Sequence, residues 1–102
     1  MVHVLAIITA KPGMRGRILE VFRANVPAVL AEDGCLGYEA TVDVDPSGPG
    51  FAQFGADTFV VVEKWASIEA LRAHAAAPHM KAYAASVKDL TASRAIHVLQ
   101  PA

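Results

Sequence analysis

The stretch that most constrains the fold is Val2 to Ala10, a β-branched and aliphatic run that stops at Lys11-Pro12-Gly13. Runs of this kind, ended by a Pro-Gly break, are typical of β-strands. Successive side chains of a strand point to opposite faces, and in this run both alternating sets are mostly apolar. A strand with one wet face would alternate apolar with polar residues, so we predict that both faces of its sheet are covered.

The rest of the chain alternates between helical and strand periodicity. Apolar residues three and four apart predict a helix over residues 14–33, and Ser67 is a natural N-cap for a second helical region that restarts at Pro78. Further strands are predicted over residues 38–44, 58–65 and 95–99. The order β-α-β-β-α-β indicates an α+β, ferredoxin-like protomer, one domain over residues 1–102 with both helices on one face. A second sheet should then close against the other face.

Residues 45–57 form the one long irregular stretch, which is rich in Gly and Pro. This stretch is either a mobile hairpin loop or a flap over a pocket, since long loops in small domains are often lids. In the second case Phe51 and Phe54 would be its apolar tips.

The composition of the chain indicates that it associates with identical copies of itself. Hydrophobic residues make up 54% of the 102 residues and charged residues 19%, against a usual apolar share of roughly 45–50%. No run approaches the roughly 18 apolar residues of a spanning helix, so we predict a subunit interface between identical copies rather than a membrane segment.

Charge and cysteine content exclude other classes. The net charge is −1 and no basic cluster interleaves with aromatic residues, which argues against nucleic-acid binding. The first residues predict a strand rather than a signal peptide, and the single cysteine, Cys35, fits a reducing compartment. We therefore expect a cytoplasmic protein.

The third strand carries a carboxylate in an apolar row. Alternation places Phe59, Val61, Glu63 and Trp65 on one face. A buried carboxylate is costly unless it is paired or protonated, so Glu63 is either a partly solvated structural residue or a group that orients a histidine. Trp65 is either a core anchor or a ligand contact.

Two histidines and a tyrosine flank the helix break at Pro78. His79 and Tyr83 are four residues apart and share a helical face, and His74 precedes the break. With Glu63 near in sequence, this set indicates either a polar pocket or structural side chains. The spacing does not fit a metal site, because no His-x-x-x-His pair or further clustered acid is present.

These residues belong to a longer pattern. It consists of Val26-Pro27, Glu32-Asp33-Gly34-Cys35, Gly37-Tyr38, Glu63-Lys64-Trp65, Ser67, His74, Pro78-His79-Met80-Lys81-Ala82-Tyr83 and Leu99-Gln100-Pro101. In this pattern the chain resembles the antibiotic biosynthesis monooxygenase family over nearly its whole length. The resemblance implies a homodimer in which two protomers pair sheet to sheet as a dimeric α+β barrel. It also implies oxygenation of a quinol or polyphenol-type aromatic substrate by O2, with no metal, flavin or haem cofactor.

The same resemblance suggests a role for each candidate residue. His74 would be the base or the oxyanion partner, and Glu63 would orient it. The substrate-binding residues would be Trp65 and Phe59 as the wall, His79 and Tyr83 as secondary polar contacts, and Met80 as apolar lining. Two alternatives stay open: an isomerase of a small metabolite that needs no oxygen, and a non-catalytic dimeric module that binds a small ligand.

Overall fold

Four strands form one antiparallel sheet in the computed structural model, which describes residues 1–45 and 50–102. They are β1 (Val2–Ala10), β2 (Cys35–Thr41), β3 (Thr58–Trp65) and β4 (Thr91–Leu99), in the spatial order β2-β3-β1-β4. The helices are α1 (Arg15–Leu30), α2 (Ile68–Ala76) and α3 (Pro78–Val87), and a single 3₁₀ turn, Lys88–Leu90, leads into β4. The predicted α+β, ferredoxin-like arrangement is confirmed.

Element boundaries differ from prediction where the chain turns. The helix predicted over 14–33 is shorter, and the second strand starts at Cys35 instead of residue 38, after Gly34 turns the chain with φ +84°. The last strand begins at Thr91 rather than at residue 95 because Thr91 already pairs with Ala10 of β1. Small and polar residues at 91–94 gave no strand signal, so here tertiary pairing decides.

The stretch over residues 45–57 lies partly outside the described residues, which omit 46–49. In the described part, Phe51 and Phe54 are exposed. The choice between a loop and a flap therefore stays open.

One face of the sheet packs against the helices and forms the core. Its most deeply buried side chains include Val4 of β1 and Phe59 and Trp65 of β3, which pack with Ile18 and Val29 of α1. Burying such side chains contributes about 1.5–3 kcal/mol each. This core fixes β3 beneath the helices, and so fixes the positions of Glu63 and of the α2 start that follows Trp65.

The opposite side of the sheet, here called the far face, is also apolar but remains open. Strand register places on it the apolar residues Leu5, Ile7, Val60, Val62, Ala95 and Leu99, together with polar residues that include His3, Lys64 and His97. Val62 is 43% exposed and Leu99 47%, and no element among the described residues covers them. Within one protomer the helices cover their side of β1 and β3, but Ile96 and Val98 of β4 on that side are each 47% exposed. The prediction that both faces are covered is thus met in part, on the helix side.

None of the described helices has the length and apolar character needed to cross a membrane.

Candidate active site

A cavity of about 660 Å³ lies between the helix-facing side of the sheet and helices α2 and α3. Most of its wall is apolar. The sheet contributes Val4, Ala6 and Val61, and the helices contribute Phe22 of α1, Leu71 of α2 and Met80 of α3. Four polar side chains complete one end: Tyr38, Glu63, His74 and Tyr83. An apolar cavity with a few convergent polar groups is the usual form of a small-molecule site.

His74 is the best-positioned polar group of this cavity. It lies on the last turn of α2, a helix whose N-terminus is capped by Ser67 through a 3.1 Å hydrogen bond from the Ala70 amide. His74 is only 5% exposed, and its Nδ1 is 2.7 Å from Oε2 of Glu32. Because a carboxylate only accepts, we assign the proton to Nδ1. This leaves the lone pair of Nε2 for a bound molecule.

Aromatic neighbours fix the plane of the His74 ring. The Trp65 ring centroid lies 4.6 Å from that of His74, and the Tyr38 centroid lies 5.6 Å away at an edge-on angle. With Nδ1 held by Glu32 as well, the imidazole is constrained on several sides. A constrained imidazole next to a carboxylate is the arrangement used by general bases.

Gly34 brings Glu32 within reach of His74. A Cβ at Gly34 would lie 2.6 Å from Cβ of Ala70, so only glycine permits this approach of the chain to α2, and its φ of +84° favours glycine too. The Gly34 carbonyl accepts a 2.8 Å hydrogen bond from the Ala66 amide just before α2. The residues after α1 are thereby fixed against α2, which positions the Glu32 carboxylate.

Glu63 has a different partner from the one expected. Its Oε1 accepts a 2.9 Å hydrogen bond from Nε1 of Trp65. The orienting role predicted for Glu63 therefore falls to Glu32, because Glu32 is the carboxylate that contacts His74. Burial raises the pKa of Glu63, although the Trp65 hydrogen bond and the nearby His74 act in the opposite direction. Glu63 is thus a cavity carboxyl that can hold or release a proton closer to neutral pH than an exposed glutamate.

The raised pKa of Glu63 should make the stability of the folded chain depend on pH. Below the ordinary glutamate pKa of 4.5 the carboxyl is protonated in both folded and unfolded chains. As pH rises through the higher folded-state pKa, the folded chain must lose a proton from a buried site, and stability is lost. Glu63→Gln keeps an oxygen acceptor for Trp65 but cannot ionise. We expect its Tm to exceed that of the wild type by a few degrees at pH 8, and this gain to vanish near pH 4.

Differential scanning calorimetry across that pH range measures the effect, with Glu20→Gln, an exposed residue of α1, as the matched control. A Glu63→Gln protein whose Tm difference from wild type is the same at both pH values would contradict a raised pKa.

Two further predicted residues also line the cavity. Burial raises the pKa of Tyr83 to about 12, so its hydroxyl is protonated at neutral pH, and its ring packs edge-on against Phe22 at 6.1 Å. Met80 lines the cavity next to α1, where its sulfur accepts from Nδ2 of Asn25 at 3.4 Å. Both are therefore placed to contact a bound molecule.

The remaining three predicted residues lie behind the cavity wall. Phe59 and Trp65 are fully buried in the core, where Trp65 supports both Glu63 and the His74 ring. His79 lies next to Glu32, with Nε2 at 3.3 Å from Oε2. Both ring nitrogens of His79 are buried without a well-aligned hydrogen bond in the described structure. These three residues therefore support the side chains of the cavity wall and do not line the cavity themselves.

The structure adds two residues that the sequence did not single out as site residues, Glu32 and Tyr38. Tyr38 lines the cavity and stacks on Phe22 at 5.1 Å. Burial raises its pKa, and the charge of Glu63 raises it further. The signal for both was their place in the family-like motifs Glu32-Asp33-Gly34-Cys35 and Gly37-Tyr38. Nothing in local spacing links them to His74.

Within residues 1–45 and 50–102 there is no group of three or more His, Cys, Asp and Glu side chains that could hold a metal ion.

The chain is similar to a known family and to several known proteins. The family model described as antibiotic biosynthesis monooxygenase matches residues 1–86. The probable quinol monooxygenase YgiN of Escherichia coli K12 is 42% identical over 103 residues, which cover 99% of this chain and 98% of that protein. The solved structures that match include PA3566 from Pseudomonas aeruginosa, with a TM-score of 0.80 and 27% identity over 99% of this chain and 93% of that one. They also include Rv0793 from Mycobacterium tuberculosis, with a TM-score of 0.81 and 28% identity over 99% of this chain and 94% of that one.

Proposed function

Because the chain belongs to the antibiotic biosynthesis monooxygenase family, as its motifs predicted, we propose that it is a monooxygenase acting on a quinol or polyphenol-type aromatic substrate. The oxidant is O2, and the reaction needs no metal, flavin or haem. The observation that carries this proposal is the Glu32–His74 pair at the polar end of an apolar cavity. The similarity to a probable quinol monooxygenase supports the substrate class.

His74 starts the reaction as the base. A quinol gives up an electron far more readily once one hydroxyl has lost its proton, so the first task is deprotonation. Nε2 of His74 accepts this proton because Nδ1 already donates to Glu32. The Glu32 carboxylate stabilises the imidazolium that forms. A well-placed general base such as His74 contributes roughly 10²–10⁴ in rate.

The quinolate then reacts with oxygen. Ground-state O2 is a triplet, so one electron passes first and leaves a semiquinone radical and superoxide together in the cavity. These recombine to form a carbon–oxygen bond and a ring peroxide. A base removes the proton from that ring carbon as the O–O bond breaks, and water leaves. The balance is quinol plus O2 giving hydroxyquinone plus water.

The cavity wall supports each of these steps. Its apolar side chains keep water away from the radical pair. The Tyr83 hydroxyl, which stays protonated, can donate a hydrogen bond to the developing oxyanion or peroxide, and a protonated Glu63 can do the same. His74 first returns its proton from Nε2 to the peroxide oxygen, and the lone pair freed in this way, or an ionised Glu63, then accepts the proton from the ring carbon.

The assembly we propose is a homodimer that pairs far face to far face, completing a dimeric α+β barrel. The exposed apolar side chains of the far face, such as Val62 and Leu99, support it because a lone protomer leaves them in water. The cavity lies on the helix side, so both sites of the dimer remain open. We place the protein in the cytoplasm, where reducing conditions keep Cys35 as a thiol.

Oxygen consumption tests the proposal. Metal-stripped protein in an electrode cell is given a panel of reduced naphthoquinols and polyphenols, and each rate is corrected for autoxidation. We expect uptake well above background with at least one quinol and no stimulation by added metal or flavin. No uptake across the panel would contradict the oxygenase and favour an isomerase or a ligand-binding module.

A further inference from the structure

The cavity has two chemically different ends. Along β1, Val4 pairs with Glu63, whereas Ile8 lies at the other end of the cavity and pairs with Arg94 of β4. Four residues of strand separate these levels by about 13 Å. The end near Val4 holds Glu63 and His74, and the end near Ile8 holds the side chains of β4 and of the turn before it.

This second end is positively charged. Arg94 lies on β4, on the same side of the sheet as Ile8, and Lys88 lies on the 3₁₀ turn that follows α3. Lys81, seven residues before Lys88 and hence on the same side of the helical segment, also lines the cavity. All three side chains are exposed at the wall.

Within the part of the chain that the structure describes, these cations have no acidic partner of their own. Among the described residues no carboxylate lies within 4.0 Å of Lys81, Lys88 or Arg94, since the only ion pairs there involve histidine and Glu32. Of the described residues that line the cavity, Glu63 at the opposite, polar end is the only acidic one. In a chain of net charge −1, a cavity end with two cations, and with Lys81 about 10 Å further along the helical side of the wall, is a local excess of positive charge.

We infer that the substrate is an aromatic quinol with an anionic substituent, a carboxylate or a sulfo or phosphate group, on the side remote from the reacting hydroxyl. The acid group binds Arg94 and Lys88, with Lys81 adding to the field, and this orients the reacting ring toward His74. Arginine and lysine both bind such oxyanions, and arginine can do so with two hydrogen bonds. The inference rests on the proposed aromatic substrate of the same cavity.

Binding of redox-stable ligands tests it without turnover. Isothermal titration calorimetry compares naphthol with naphthol sulfonate and hydroxynaphthoate whose acid group lies on the ring remote from the hydroxyl. We expect at least tenfold tighter binding of one or both acids than of naphthol at low ionic strength, with the advantage shrinking as salt screens the charges. Comparing the two acids tells which oxyanion the site prefers.

Variants locate the effect. The Arg94→Met, Lys88→Met double variant should lose the preference for the acids while still binding naphthol, and Arg94→Lys should keep most of it. Arg23→Met, which removes an exposed arginine of α1 outside the cavity wall, is the matched control and should leave the preference intact.

Equal affinity for acid and neutral ligands, or a preference that survives the double variant, would overturn the inference. Failure of all three ligands to bind would contradict both it and the aromatic substrate. A clear preference for the acids in a protein that consumes no oxygen would support the inference and contradict the oxygenase.

Discussion

The His74→Ala variant is expected to turn over quinols about 10²-fold more slowly than the wild type, and at least tenfold. The loss follows from removing the group whose Nε2 takes the substrate proton, while Glu32 and the cavity walls remain. Steady-state oxygen uptake measures it, and light scattering after gel filtration checks that the variant keeps the assembly state of the wild type. Unchanged turnover in a folded His74→Ala protein would exclude His74 as the base.

A second variant separates the base from its positioning residue. Glu32→Gln keeps an oxygen to accept from Nδ1 of His74 but removes the negative charge that stabilises the imidazolium. We expect a fall of about tenfold in kcat with little change in KM, since Glu32 contacts His74 rather than the substrate. In the His74→Ala background the same change should cost nothing further. Independent, additive losses would show that Glu32 acts through something other than His74.

The second large effect concerns the far face. Val62 lies on β3, an inner strand of the sheet, and is 43% exposed in the protomer. In a symmetric dimer Val62→Asp buries two unpaired carboxylates, each costing several kcal/mol, so the variant should dissociate into monomers. Sedimentation velocity over a range of protein concentrations measures this.

Leu30→Asp is the control, because Leu30 is an apolar residue of α1 on the helix side and is even more exposed than Val62, at 52%. We expect it to sediment as the wild type does. If Val62→Asp and the wild type sediment as the same species, the far face is not the interface.

Most of the fold could be predicted because its signals are local. The run Thr58–Trp65 gave its strand with both ends correct, and Ser67 gave the start of the helix that carries His74. The Pro78 break separated α2 from α3 for the same reason, since proline suits a first helical position. Alternation also placed Glu63 correctly among the buried residues of its face.

The site could be predicted only in part because it joins distant segments. Glu32 and His74 are 42 residues apart and meet only because Gly34 turns the chain against α2. Alternation put Phe59 and Trp65 on the cavity side of β3, but a period of two does not show how deeply each side chain is buried. The helices cover both residues completely, so they support the cavity wall instead of forming it.

The most direct test of an oxygenase in this cavity is the fate of isotopically labelled O2. A quinol that the protein consumes is oxidised under ¹⁸O2, and the product is analysed by mass spectrometry, with His74→Ala and a protein-free reaction as controls. The account predicts one labelled oxygen on the ring of the hydroxyquinone for each O2 consumed, the other leaving in water. An unlabelled quinone formed together with hydrogen peroxide would contradict it, because the protein would then take electrons from the quinol without inserting oxygen.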